Sequence, residues 1–216
     1  PTKNLDFSLS VFVRMLYSCL VDADFLDTEA FMKNENTGRV AGETMQILEE
    51  KLEQYIEPWL SNTELESING RRTEILAHCM EMGKREKGIY RLTVPTGGGK
   101  TIASLAFALR HAVKHQMDRI IYVIPYTSII EQNAQVFREI LGAENVLENH
   151  CNVEYKDSEE FYPMQLASEN WDKPVVVTTN VQFFESLFGN KSSKCRKIHN
   201  ICLLYTSPSP RDGLLS

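Results

Sequence analysis

Three consecutive glycines followed by Lys100 and Thr101 leave this chain few folds to adopt. The full segment is Val94-Pro95-Thr96-Gly97-Gly98-Gly99-Lys100-Thr101. The apolar run Ile89–Val94 precedes it, and a stripe at helical spacing follows it: Ile102, Leu105, Ala106, Leu109 and Val113. Glycines let a backbone turn tightly with its amides pointing inward, and a helix N-terminus adds its positive dipole end. Such a loop cradles phosphate when it joins a strand to a helix. Pro95, Thr96, Gly97, Gly98, Gly99, Lys100 and Thr101 are therefore the expected nucleotide-binding residues. Lys100 would neutralise β/γ charge, and the Thr101 hydroxyl would hold Mg²⁺ beside ATP. These two are the expected catalytic residues.

The rest of the pattern agrees with a parallel α/β sheet. Strands are expected at 89–94, 119–124, 145–147 and 174–178. Helices are expected at 102–115, 127–141, 157–171 (disturbed at Pro163) and 181–188. Strands alternating with helices of this length imply βαβ units. Ahead of them, Ser8 is expected to cap a helix whose apolar positions include Val11, Met15, Leu16, Cys19 and Leu20, and the acidic run from Asp22 to Glu29 is expected to end it. Residues 33–42 are a polar linker. Helices follow at 44–60, stopped by Pro58 and Trp59, and at 63–82, where Leu65, Ile68, Ile75, Leu76 and Cys79 offer a buried face. Residues 83–88 form a charged turn.

Composition narrows the class. Hydrophobic residues are 43% and charged residues 24% of 216, the balance of a globular chain. No apolar run approaches the roughly 18 residues of a membrane span. Five scattered cysteines, never spaced C-x-x-C, indicate reduced thiols in a cytoplasm. The net charge of −6 falls on the first 88 residues. A bulk basic footprint for nucleic acid is absent, although backbone amides and local cations suffice to grip a strand.

Val94 stands where the general phosphate-loop pattern has glycine, and Pro-Thr-Gly-Gly-Gly-Lys-Thr is the form found in superfamily 2 helicases. Leu92 to Ala112 resembles the motif I region of the signature helicase–nuclease of type I CRISPR systems, with most similarity to the subtype I-C branch. Arg119 to Gln132 resembles its motif Ia, and Val175 to Phe188 its next strand-contacting motif. The resemblance extends over almost all of residues 8–201. It implies an α/β chain with an incomplete RecA-like parallel sheet, the first motor domain of a superfamily 2 helicase, preceded by the helical C-terminal end of an HD nuclease domain. The implied organisation is an HD remnant at 1–37, a helical connector at 38–88 and the ATP-binding domain at 89–201. The implied activity is ATP-driven movement along single-stranded DNA, with metal-dependent cleavage after recruitment by the CRISPR RNA-guided surveillance complex. Leu16 to Phe25 is similar to the last metal-binding helix of the HD domain, which puts Asp24 on a metal-ligand aspartate, with Asp22 and Asp27 behind it. Carboxylate and imidazole ligands suit Mn, Fe, Ni or Co.

The His-Asp pair and the other histidines of that domain, and the acidic Asp-Glu strand of the motor, are expected outside this sequence. Residues 202–212 resemble the translation of a sequencing-library adaptor. Residues 202–216 are thus expected to be a non-native tail on an internal, catalytically inert fragment.

Several other residues carry two readings each. Pro125, Tyr126, Thr127 and Gln132 follow a strand at the edge where open parallel sheets bind ligands, and are expected to contact nucleic acid. Thr178 and Thr179 end a strand, where hydroxyls either meet phosphate oxygens or cap the next helix. His111 and His115 have zinc-capable spacing but no third ligand, so a solvent-facing pair is expected. His78 is expected to be structural. His150 sits in a block the family shares. Phe183, Phe184, Leu187 and Phe188 are expected in the core, and Arg71 or Arg72 near the adenine. A restriction-type translocase or an RNA helicase would share the same loop and sheet. A chain that only binds nucleotide, or binds nothing, is the non-enzymatic reading.

Overall fold

A computed structural model describes residues 5–33, 42–60, 67–150, 168–189, 191–201 and 203–206. The helix expected at 157–171 lies mostly outside them, as does the 33–42 linker.

Four parallel strands form the centre. They are β1 (Ile120–Ile124), β2 (Val146–Asn149), β3 (Val175–Thr179) and β4 (Leu203–Thr206), in the spatial order β2-β3-β1-β4. Ile120 pairs with Val175 on one side and Leu203 on the other. The alternation along β1 feeds two cores. Ile120, Tyr122 and Ile124 join Val175 and Val177 beneath helices α2 (Met45–Leu60), α4 (Lys100–Lys114) and α5 (Thr127–Leu141). Ile121 and Val123 meet Val176, Leu147, Trp171 and Phe183 on the opposite face. Burial on both faces explains why β1 and the Val175–Val177 stretch of β3 are continuous apolar runs.

Each covering helix follows its apolar stripe. In α2, Met45, Leu48, Leu52 and Ile56 are buried at three- and four-residue spacing, and the helix runs through Pro58 to Leu60. In α5, Ile130, Ala134, Phe137 and Leu141 do the same. Helix α3 (Ile68–Gly83) is capped by Ser67, whose hydroxyl accepts from the Gly70 amide at 3.0 Å. Gly83 lies tight against α4: a Cβ there would come within 2.8 Å of Arg110 and 2.9 Å of the Phe107 carbonyl.

Three expectations are corrected. Residues 89–94 make no strand, and Ile89 is fully exposed. Both edges of β1 are taken by β3 and β4, and residues 89–94 pair with neither of the outer edges that β2 and β4 leave open. Second, the first helix, α1 (Leu5–Lys33), does not stop at its acidic run. Its Asp22 is buried against Arg196, while Asp24 and Asp27 are exposed. Val11, Met15, Leu16, Cys19 and Leu20 are exposed, and the face that packs is the polar series Arg14, Ser18, Asp22. Ser18 Oγ donates to the Cys195 carbonyl at 2.5 Å, and Arg14 donates to the Leu187 carbonyl. Third, Leu203–Thr206, within the segment expected to stand outside the fold, extends the sheet as β4. Short helices α6 (Asn180–Phe188) and α7 (Ser192–Cys195) and a 3₁₀ turn at Ile198–Asn200 complete this side.

Candidate functional site

The glycine loop sits at the N-terminus of α4 with the backbone shape that anion binding needs. Gly97 and Gly99 adopt left-handed conformations, φ 82° and 78°, which side-chain-bearing residues rarely adopt. Gly99 is the N-cap of α4 and offers no side chain, so the helix's first amides stay open to a ligand. The Gly98 amide closes a turn on the Pro95 carbonyl at 3.1 Å. A Cβ on Gly98 would lie 2.4 Å from Val94 Cγ1 and 3.0 Å from that carbonyl. Val94, where the general pattern has glycine, is buried and forms the floor of the loop.

Lys100 is exposed and free to reach a bound phosphate. Thr101 is half-buried, and its hydroxyl donates to Asn133 Oδ1 of α5 at 3.1 Å. Donating through its proton leaves the hydroxyl oxygen's lone pairs for a hard cation such as Mg²⁺. The open helix end, the side-chain-free cradle and this oxygen fit a magnesium–nucleoside triphosphate. From the other side, Arg72 Nε of α3 donates to the Gly97 carbonyl at 2.8 Å. Arg72 therefore lies on the loop itself; Arg71 is exposed beside it. Asn133 escaped sequence reasoning because it lies 32 residues from Thr101 and no local pattern links them.

The β1–α5 junction places Pro125 and Thr127 half-buried, with Tyr126 and Gln132 exposed. Gln132 neighbours Asn133 on α5, so this edge is mechanically continuous with Thr101. Thr178 is fully enclosed, and its hydroxyl donates to the Asn149 carbonyl at 2.7 Å. Thr179 caps α6 by accepting from the Gln182 amide at 3.1 Å. Both threonines have intramolecular partners. Phe183 is buried and stacks over Trp171, whereas Phe184 and Phe188 are exposed and stack on each other, correcting their expected core placement.

The histidines also differ from expectation. His111 is buried, not solvent-facing: its Nδ1 lies 2.9 Å from the Gly83 carbonyl and its ring stacks on Phe107. Burial pushes its pKa below the usual imidazole value, against the opposing pull of that carbonyl. His115 approaches the Arg85 carbonyl at 2.9 Å. The pair therefore ties α4 to the turn after α3. His78 is exposed.

Asp24 is exposed on α1, and among the described residues no set of three metal-capable groups includes it. These residues alone do not fit a metal centre there. Glu131, Glu148 and His150 do bring three such atoms within 4.8 Å of one another. The Glu148 oxygens are already engaged, one with Arg138 and one with His150, each at 2.8 Å. The Arg138–Glu148 ion pair joins α5 to β2, and His150 adds a hydrogen bond to the same carboxylate.

A buried polar joint fixes α1 to the sheet. Asp22 receives Arg196 Nε at 2.9 Å and Asn170 Nδ2 at 3.1 Å, and Arg196 Nη1 reaches Glu169 at 2.9 Å. His199 Nε2 lies 3.6 Å from Asp22, and burial lowers the His199 pKa.

Comparison with known proteins agrees with this geometry. The family model described as type III restriction enzyme, res subunit, matches residues 45–203. The CRISPR-associated nuclease/helicase Cas3 of Haloferax volcanii is 33% identical over 51% of this chain. The chain spans 14% of that relative's length. The parallel sheet with its loop-to-helix phosphate cradle is the arrangement of a RecA-like helicase domain. No helix among the described residues is long and apolar enough to cross a membrane.

Proposed function

The chain belongs to the family of the type III restriction enzyme res subunit, and from that premise we propose that it is the ATP-binding portion of a CRISPR-associated motor that moves along single-stranded DNA. The observation that carries this reading is the cradle itself: Gly97 and Gly99 in left-handed backbone, at the open N-terminus of α4, with Lys100 and Thr101 beside it.

Magnesium–ATP supplies a phosphoryl group whose transfer to water releases the energy for movement. Amides of Gly97–Thr101 hold the phosphate oxygens without needing to reorganise. Lys100 matches the β/γ charge, and Thr101 offers an oxygen to the cation. Pro125, Tyr126, Thr127, Gln132 and Thr179 line the path of the strand, with Thr178 buttressing it from beneath. Support for that path comes from the position of Pro125, Tyr126, Thr127 and Thr179 just after the C-terminal ends of β1 and β3, with Gln132 on the second turn of α5. In a protein of the relative's length, Asp24 would be one carboxylate ligand of a transition-metal centre completed by histidines outside these residues, which would supply the hydrolytic chemistry for strand cleavage, with the DNA delivered by the surveillance complex. That part rests on the resemblance of Leu16–Phe25 to the HD helix.

The description of the matching family favours a second reading, a restriction-type translocase. The deciding experiment uses the longer protein and measures ATP turnover with single-stranded and with duplex DNA. Stimulation by single strands, lost in Lys100→Ala but kept in Asp24→Ala, supports the first reading. Stimulation by duplex alone supports the second. An Asp24→Ala protein that cleaves at the native rate with metal supplied removes Asp24 from the nuclease.

A further inference from the structure

Thr101 is not free to rotate. Its hydroxyl donates to Asn133 Oδ1 at 3.1 Å, across from α4 to the second turn of α5. A threonine hydroxyl has one proton and two acceptor lone pairs. Where the proton points therefore decides where the lone pairs point. A solvent-directed proton would swing the lone pairs away from the cradle, or leave them shared among rotamers. Asn133 fixes the proton on the α5 side and leaves the oxygen's electron pairs directed elsewhere, available to a cation at the phosphates.

We propose that Asn133 is the positioning residue for the magnesium-binding hydroxyl of this site, acting through Thr101 and not on the nucleotide itself. The inference rests on the nucleotide-binding reading above. Three features carry it. The contact links two elements 32 residues apart, so neither helix makes it by local geometry. Asn133 is half-buried, at a place where α5 is held against the sheet by Ile130, Ala134 and Phe137, each fully buried. Its amide oxygen is thus aimed by a rigid helix. Finally, a cation on the Thr101 oxygen would polarise the O–H bond and strengthen its donation to Asn133, so metal binding and this hydrogen bond reinforce each other.

The mutual reinforcement makes a specific demand. Loss of the acceptor weakens the metal-dependent part of nucleotide binding and spares the metal-free part. A residue that merely supports α5 would affect both equally, through folding.

The test titrates a fluorescent ATP analogue onto the 216-residue chain, once with excess chelator and once at a series of Mg²⁺ concentrations. Asn133→Leu keeps the bulk and removes the acceptor. Asn133→Asp keeps an acceptor oxygen in the same place. The expected result for Asn133→Leu is a roughly five- to tenfold rise in the Mg²⁺ concentration for half-maximal enhancement of binding, the size of one lost hydrogen bond. Metal-free affinity and the melting curve stay within twofold and about 2 °C of native. Asn133→Asp returns the Mg²⁺ requirement to native or below. An unchanged Mg²⁺ requirement in Asn133→Leu overturns the inference, as does an equal loss with and without metal. Lys100→Ala is the control on the underlying reading. If it leaves binding intact, or if the native chain takes up no nucleotide, the site assignment fails and Asn133 has no metal ligand to position.

Discussion

Replacing Asp22 by alanine should be among the most damaging single changes in this chain, although Asp22 lies far in sequence from everything it holds. The side chains of Asp22 and Arg196 are only 6% and 4% exposed, and their carboxylate and guanidinium meet at 2.9 Å. Removing one partner of a buried pair leaves the other charged and desolvated, at a cost of about 3–5 kcal/mol. Arg196 would retain Glu169, but Glu169 is 45% exposed and a weaker, solvent-screened partner. Among the described residues Arg196 Nη2 has no hydrogen-bond acceptor. Asn170 Nδ2 would also lose this acceptor. The remaining Glu169 contact places the expected loss near the lower end, about 3 kcal/mol. In a domain of this size each kcal/mol moves Tm by roughly 2–4 °C, so Asp22→Ala should melt roughly 6–12 °C lower. The double variant Asp22→Leu/Arg196→Met removes both charges and fills the space, and should recover most of that loss. Circular dichroism melts of the three proteins decide the matter. A single-variant shift under about 2 °C, or a double variant as unstable as the single, refutes the buried-pair argument.

Further outcomes follow from the same geometry. Gly98→Ala should abolish nucleotide binding in an equilibrium titration, because its Cβ would meet Val94 and the Pro95 carbonyl and force the loop open. Gly97→Ala has open space around it and carries only the left-handed backbone penalty, roughly 1 kcal/mol read as a small drop in Tm. The lowered pKa of His111 means that the unfolded chain takes up its proton first as pH falls, so stability should drop as pH goes below the usual imidazole value. His111→Gln should flatten that slope in melts between pH 7.5 and 5.5, while His199, also lowered, keeps part of it. The 216-residue chain should bind ATP without turning it over above a Lys100→Ala control in a phosphate-release assay. Hydrolysis in this class needs a carboxylate to help hold Mg²⁺ and position water, and β4 beside β1 carries Leu203-Leu204-Tyr205-Thr206 with no acid.

What was legible in the sequence is what is local. Helix α5 begins at Thr127 and ends at Leu141 as its stripe of Ile130, Ala134, Phe137 and Leu141 predicts, and β1 and β3 fall within a residue of their apolar runs. The glycine loop was legible for the same reason: every part of it is contiguous. The misses are all tertiary. Residues 89–94 have strand chemistry, but a strand exists only with a neighbour to pair with. The acidic stretch of α1 looked like a helix end because the partner that accommodates Asp22 is 174 residues away. His111 looked exposed because the carbonyl of Gly83, which fixes it, belongs to another helix. Asn133 and Arg72 reach the loop from α5 and α3, and no spacing rule connects them to it. At β4, the resemblance of 202–212 to an adaptor translation carries no information about pairing, and Leu203–Thr206 take the edge that β1 leaves open.

The central claim is that the Gly97–Thr101 cradle binds a nucleoside triphosphate, and an equilibrium titration of a fluorescent ATP analogue onto this chain and its Lys100→Ala variant, with Mg²⁺ present, tests it most directly. The account predicts saturable binding to the native chain, competed by unlabelled ATP, and at least tenfold weaker binding to the variant with an unchanged melting curve. Equal binding by the two proteins, or none by a natively folded chain, would contradict it.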